Sequence, residues 1–163
     1  MDDLLVAKNK LLNIVEQLNK KYIMSKNIPE DYFEPSMMEN LEQYKGEYDE
    51  ENNTIILRTE VKGLRYDNRT ANLEKVSFDD SVQLIREQNN PYNYNNFTIN
   101  TTENKSLGNL PADLCNALAP LYDLGYAKII STKVSYIEKI KERSRYAKQG
   151  VLFVEIKISL RGI

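Results

Sequence analysis

The stretch Val82-Gln83-Leu84-Ile85-Arg86-Glu87-Gln88-Asn89-Asn90-Pro91-Tyr92-Asn93-Tyr94-Asn95-Asn96-Phe97 passes from an extended segment through a turn and back into an extended segment. Val82, Leu84 and Arg86 stand two apart, the parity of one strand face. Asn89, Asn90 and Pro91 are turn formers, and Phe97 with Ile99 resumes the alternation. Towards the N-terminus, Tyr44–Tyr48, a turn cluster at Asp49–Asn53 and the run Thr54–Val61 predict a hairpin. Asp79-Asp80 with Ser81 reads as a turn ahead of the Val82 strand. Towards the C-terminus, a polar turn at Thr101–Lys105 precedes a strand at Ser106–Leu110. Pro111 then opens a helix through Leu114, Leu118 and Leu121 that stops at Gly125. Lys128–Ser135 and Val151–Leu160 predict closing strands around a basic loop at Lys139–Lys148. Many short strands with one internal helix predict a small barrel or half-barrel.

Residues 3–22 predict an amphipathic helix, with Leu4, Leu11, Val15, Leu18 and Tyr22 on one face. Its lysines are diluted by Asp2, Asp3 and Glu16, so a face packed on the main domain or on another copy is expected rather than one lying on a membrane. Pro29 and Pro35 break the connector that follows. Residues 36–44 predict a second helix, with Ser36 and Glu39 at capping-box spacing.

The composition narrows function. The 163 residues suit one domain with an appended segment. No apolar run approaches the roughly 18 residues of a membrane span. The acidic start Met1-Asp2-Asp3 is unlike a signal peptide. The single cysteine, Cys115, excludes an internal disulfide framework and fits a reducing compartment, so a cytoplasmic location is the expectation. There is no histidine, which removes Ser/His/Asp and Cys/His triads and the usual His-containing zinc sites. Catalysis would have to rest on carboxylates, lysine or tyrosine; no enzyme activity, cofactor or metal is expected. Residues 1–55 carry 6 Lys/Arg against 12 Asp/Glu, and residues 56–163 carry 16 against 12. That asymmetry fits a charged partner for the second part or an ordinary solvated surface.

Three segments in order resemble the HIRAN domain, a module found at the N-termini of fork-remodelling translocases and as a stand-alone bacterial protein. They are Val61-Lys62-Gly63-Leu64-Arg65-Tyr66; Val82–Tyr92 with its continuation to Phe97; and Leu107-Gly108-Asn109-Leu110-Pro111 with Leu118-Ala119-Pro120-Leu121 behind it. The resemblance is strongest over residues 61–124. It implies a small OB-like or SH3-like β-barrel over residues 51–163; with the helical extension read from periodicity over residues 1–50, which lie outside the resemblance, an α+β chain is expected. It also implies a pocket for the 3′ end of single-stranded DNA, in the setting of DNA repair, and carries over to Arg65, Tyr66, Asn90 and Tyr92. Asn93 stands where the family usually has Asp, and Asn109 where many relatives have His or Tyr.

The residue chemistry is compatible with that pocket. Tyr66 and Tyr92 are flat amphipathic rings able to stack on bases, Arg65 offers a fork of donors, and Asn90 both donates and accepts. Other readings stand beside it. Asn89, Asn90 and Pro91 form turns in their own right, and Tyr92 also reads as a core aromatic with its hydroxyl at the rim. The barrel could serve protein partners alone, or form a homo-oligomer through the N-terminal helix. Glu155 and Lys157, two apart on one strand, have the acid-x-Lys spacing of metal-dependent nucleases, with Asp123 as the upstream acid, or are simply the polar face of an alternating strand. Lys139, Lys141, Arg143, Arg145 and Lys148 track phosphates or form a solvated loop.

Overall fold

The computed structural model describes residues 43–64, 66, 68–139 and 150–160, together with Asn9 and Asn13. Asn9 and Asn13 are helical, and residues 43 and 44 form a turn. The helices expected over 3–22 and 36–44 otherwise lie outside the described residues, as do Arg65 and nearly all of the basic loop.

The chain enters on β1 (Lys45–Asp49) and turns at Glu50–Asn53 into β2 (Thr54–Glu60). Asn53 takes φ +52°, its side chain accepts from the Tyr48 hydroxyl at 2.9 Å, and its amide donates to the Leu160 carbonyl at 2.8 Å. Alternation then places Ile55 and Leu57 in the core and Arg58 outside. A short helix, α1 (Arg69–Leu73), precedes the antiparallel strands β3 (Gln83–Arg86), β4 (Phe97–Asn100) and β5 (Ser106–Asn109). Helix α2 (Ala112–Asp123) follows, and β6 (Ala127–Glu138) and β7 (Val151–Leu160) form a long closing hairpin.

Among the described residues from 43 to 160 there are thus two helices where one internal helix was expected. Helix α1 has a single buried apolar residue, Leu73, so the 3.6-residue period that announces a helix is missing. Tertiary hydrogen bonds hold it instead: Arg69 Nε to Ser106 Oγ at 3.0 Å and Asn72 Nδ2 to the Ser106 carbonyl at 2.7 Å.

The strands fall into two antiparallel sheets, ordered β1-β2-β7-β6 and β3-β4-β5. Two single bridges join them. Lys62, just beyond β2, pairs with Asn109 of β5, and Ser81, just before β3, pairs with Lys133 of β6. At the first bridge Gly108 lets the backbones meet, since a Cβ there would lie 2.4 Å from the Lys62 carbonyl oxygen and 2.6 Å from Val61 Cγ1. Phe97, Ile99 and Leu107 of one sheet and Leu57, Leu152, Val154 and Ile156 of the other are buried, and α2 adds Leu114, Leu118 and Leu121. Burying each such side chain stabilises the fold by about 1.5–3 kcal/mol. No helix among the described residues is long and apolar enough to cross a membrane.

Candidate functional site

The segment from Glu87 to Asn96 carries three of the predicted site residues, and its own amides shape it. The Asn90 Oδ1 accepts from the backbone N–H groups of Tyr92 and Asn93 at 2.9 and 3.0 Å, an Asx turn. Its Nδ2 donates to Glu87 Oε1 at 2.6 Å. Asn90 therefore builds the turn, and its amide is already engaged on both sides. Tyr92, at the tip, is 95% exposed, which excludes the reading as a core aromatic. Asn93 repeats the device: its Oδ1 accepts from the Asn95 N–H at 3.0 Å, and its Nδ2 donates to Asn116 Oδ1 on α2 at 3.3 Å.

Arg86, at the end of β3, locks this segment from beneath. Its Nε and Nη2 donate to the two carboxylate oxygens of Asp123 at 2.9 and 3.0 Å, and both side chains are largely buried, 7% and 13% exposed. Nη1 donates to the carbonyls of Tyr94 and Asn96, the latter at 3.3 Å. The guanidinium carbon lies 5.1 Å from the Tyr94 ring centroid and 5.7 Å from that of Phe97. Both ends of the turn are thus tied to the last turn of α2.

Tyr66 and Asn109 belong to a second cluster. Gly63, at φ +77°, turns the chain after the Lys62–Asn109 bridge, and a Cβ there would come within 2.7 Å of Arg69 Nη1, 3.5 Å of Tyr66 Cδ2 and 3.6 Å of Asn109 Nδ2. The Tyr66 ring, 53% exposed, and the Asn109 amide therefore flank this glycine. Arg69 is spent on structure, its Nη1 donating to the Gly63 carbonyl at 3.0 Å. Asn96 connects the clusters: its Nδ2 donates to Asn109 Oδ1 at 3.1 Å and, more weakly, to Glu87 Oε1 at 3.4 Å. A continuous polar belt runs from Asn90 through Glu87 and Asn96 to Asn109. One exposed ring projects near each end of it.

Tyr66, Asn90, Tyr92, Asn93 and Asn109 are thus placed on one framework, and Arg65 lies outside the described residues. Arg86, Glu87, Asn96 and Asn116 hold that framework and were not predicted as site residues. The signal available for them was the density of asparagines at 89–96 and an arginine in phase with Val82 and Leu84. Asn93, at the position where the family usually has Asp, uses both ends of its amide to shape the turn, and its side-chain carbonyl oxygen retains a second lone pair.

The acid pairing considered for a nuclease is not assembled. Asp123 is gripped by Arg86, while Glu155 Oε2 accepts from Arg58 Nε at 3.2 Å. Among the described residues no group of three acidic, cysteine or histidine side chains is placed to hold a metal. Asp79 and Asp80 form the expected turn, with Asp80 Oδ2 accepting from the Ser77 N–H at 2.8 Å. Cys115 is no nucleophile at neutral pH, because burial pushes its thiol pKa up to about 11.

The sequence model of the HIRAN domain matches residues 56–153 of this chain. Among solved structures, the crystal structure of the HIRAN domain of human HLTF is 27% identical, covers 64% of this chain and 76% of its own, and superposes with a TM-score of 0.47. A crystal structure of a protein from Lactobacillus plantarum is 24% identical, covers 64% of this chain and 95% of its own, with a TM-score of 0.51. The latter is a likeness of fold. No curated protein matches the chain.

Proposed function

The chain belongs to the HIRAN domain family, and from that premise we propose that it binds single-stranded DNA at 3′ ends, with Tyr92 and Tyr66 stacking on the terminal bases. HIRAN domains bind DNA. The observation that carries the reading is Tyr92: a large ring left almost wholly in water, on a turn fixed by Asn90 and Arg86. Burying that ring in the protein would stabilise the fold, so a rigid mount that keeps it exposed favours a partner with a flat face. Among the described residues the belt behind the rings holds amides and one carboxylate, Glu87, and Arg69 and Arg86 beside it are engaged internally. Such a surface suits bases and sugar hydroxyls better than a run of phosphates. The two sheets, bridged at both flanks, are read as an OB-like half-barrel with this belt along one rim. Titrating a short 3′-hydroxyl oligonucleotide into the protein tests the reading, and an absence of saturable binding removes it.

Two outcomes follow from the electrostatics. Among the described residues few cations face this surface, so a short oligonucleotide making about two or three phosphate contacts will show a log–log salt slope of about −1.5 to −2. Affinities measured across a salt series check this, and a slope several times steeper would move the binding surface away from the belt. The second concerns residue 93. Asn93→Asp places a carboxylate where the wild type has a neutral amide, so it will raise the preference for a 3′-hydroxyl over a 3′-phosphate through like-charge repulsion. The ratio of affinities for the two ends, in wild type and variant, is the measurement. An unchanged ratio would show that residue 93 does not face the strand end.

A further inference from the structure

Glu87 puts a negative charge in the middle of the belt, and among the described residues no cation answers it. Its backbone is fixed just beyond β3: the N–H donates to the Asn96 carbonyl at 2.9 Å, and the carbonyl accepts from the Asn90 N–H at 3.3 Å. The side chain is partly buried. Its Oε1 accepts from Asn90 Nδ2 at 2.6 Å and, more weakly, from Asn96 Nδ2 at 3.4 Å. Both amides meet the same oxygen. Among the described residues Oε2 therefore has no donor, and the carboxylate has no ion-pair partner. The cations nearest the belt are committed elsewhere. Arg86 grips Asp123, Arg69 donates to the Gly63 carbonyl and to Ser106 Oγ, and Lys62 pairs with Glu60 at 3.2 Å.

A negative charge on a surface for a polyanion restricts what can lie against it. A phosphodiester there would meet a partly buried carboxylate, where repulsion is screened less than in bulk water. A hydroxyl fits the same place well, because it donates one hydrogen bond and an ionised acceptor takes it more strongly than a neutral amide does. On a strand ending in a hydroxyl, the terminal sugar carries this donor and no phosphate beyond it. Asn93 offers only an amide, with its Nδ2 turned to Asn116 and its Oδ1 to the Asn95 N–H. The two amides that hold Glu87 orient its carboxylate without neutralising it, so its aim is set before any strand arrives.

We propose that Glu87 is the residue that selects the strand terminus, its Oε2 accepting the hydrogen bond of the 3′-hydroxyl and its charge rejecting a 3′-phosphate. This rests on the end-binding reading above. The test uses the full chain and one short oligonucleotide sequence with three 3′ ends: hydroxyl, phosphate, and an amine at a pH that keeps it protonated. The wild type should bind the hydroxyl end about tenfold or more tightly than the phosphate end. It should bind the ammonium end more tightly still. In Glu87→Gln the side-chain carbonyl takes over the bonds from Asn90 and Asn96, because an NH2 facing those two donors would lose both. The NH2 then lies where Oε2 was and donates to a phosphate oxygen. The hydroxyl-over-phosphate ratio should fall to about one or below, and the preference for the ammonium end should vanish. Each ratio is taken within one protein, so a smaller folded fraction cancels. A role confined to shaping the turn would leave the ratio where it was. An unchanged ratio in Glu87→Gln therefore overturns the proposal while leaving strand binding standing. Equal wild-type affinities for the hydroxyl and phosphate ends do the same. Should Glu87→Gln fail to fold, the wild type decides alone, since an ammonium end bound no more tightly than the hydroxyl end overturns the proposal. If the wild type binds none of the three, the nucleic-acid reading itself is removed and this role with it.

Discussion

Arg86→Ala will destabilise the domain by about 3–5 kcal/mol, the range for breaking a buried ion pair from one side. The substitution leaves the Asp123 carboxylate, 13% exposed, with its bidentate partner gone. It also takes the donor from the Tyr94 and Asn96 carbonyls and a cation from between two aromatic rings. Arg86→Lys should recover only part of the loss, because an ammonium cannot span both carboxylate oxygens. Arg86→Ala combined with Asp123→Ala should cost less than the two single changes added together, since the double variant leaves no stranded charge. Urea unfolding of the wild type and the four variants, Asp123→Ala included, measures all of this. A loss below about 1 kcal/mol for Arg86→Ala would mean that water reaches the pair and that the turn has another anchor.

Tyr66→Ala together with Tyr92→Ala will weaken single-strand binding by about 2–6 kcal/mol, taking about 1–3 kcal/mol per stacked base. The same double variant should unfold within about 0.5 kcal/mol of the wild type, because rings this exposed contribute little to the core. The combination separates the account from its main rival. A protein-interaction domain without nucleic-acid binding would have no oligonucleotide affinity to lose. Fluorescence anisotropy with a labelled oligonucleotide and a parallel urea titration supply both numbers.

Much of the fold was legible because the sequence obeys simple periods where the structure is simple. Leu152, Val154, Ile156 and Ile158 alternate inward along β7, and Asp49–Asn53 marks the first hairpin turn, with β1 and β2 lying within a residue of their expected ends. Helix α1 was not legible, since Arg69 and Asn72 are tied to Ser106, 37 and 34 residues away, and nothing local announces those bonds. Arg86 illustrates the same limit. Its phase with Val82 and Leu84 points it inward, but its partner lies 37 residues further on, where Asp123 drew notice only as the upstream acid of the nuclease alternative. In the candidate site the rings were legible as residue types and the asparagines as turn formers. That the belt from Asn90 to Asn109 is continuous depends on Asn96, just before β4, whose amide reaches Asn109 of β5 through side chains that no spacing rule relates.

The central claim is that the strand's 3′ end lies against Tyr92 and Tyr66, and photo-crosslinking reads that position directly. Two otherwise identical oligonucleotides, one with a photoreactive base at the 3′ terminus and one with it at the 5′ terminus, would be irradiated on the protein and the modified residues mapped. The account predicts that the 3′ probe marks Tyr92, Tyr66 or their immediate neighbours and that the 5′ probe does not. Equal labelling from both ends, or a 3′ probe that marks only residues remote from the Asn90–Asn109 belt, would contradict it.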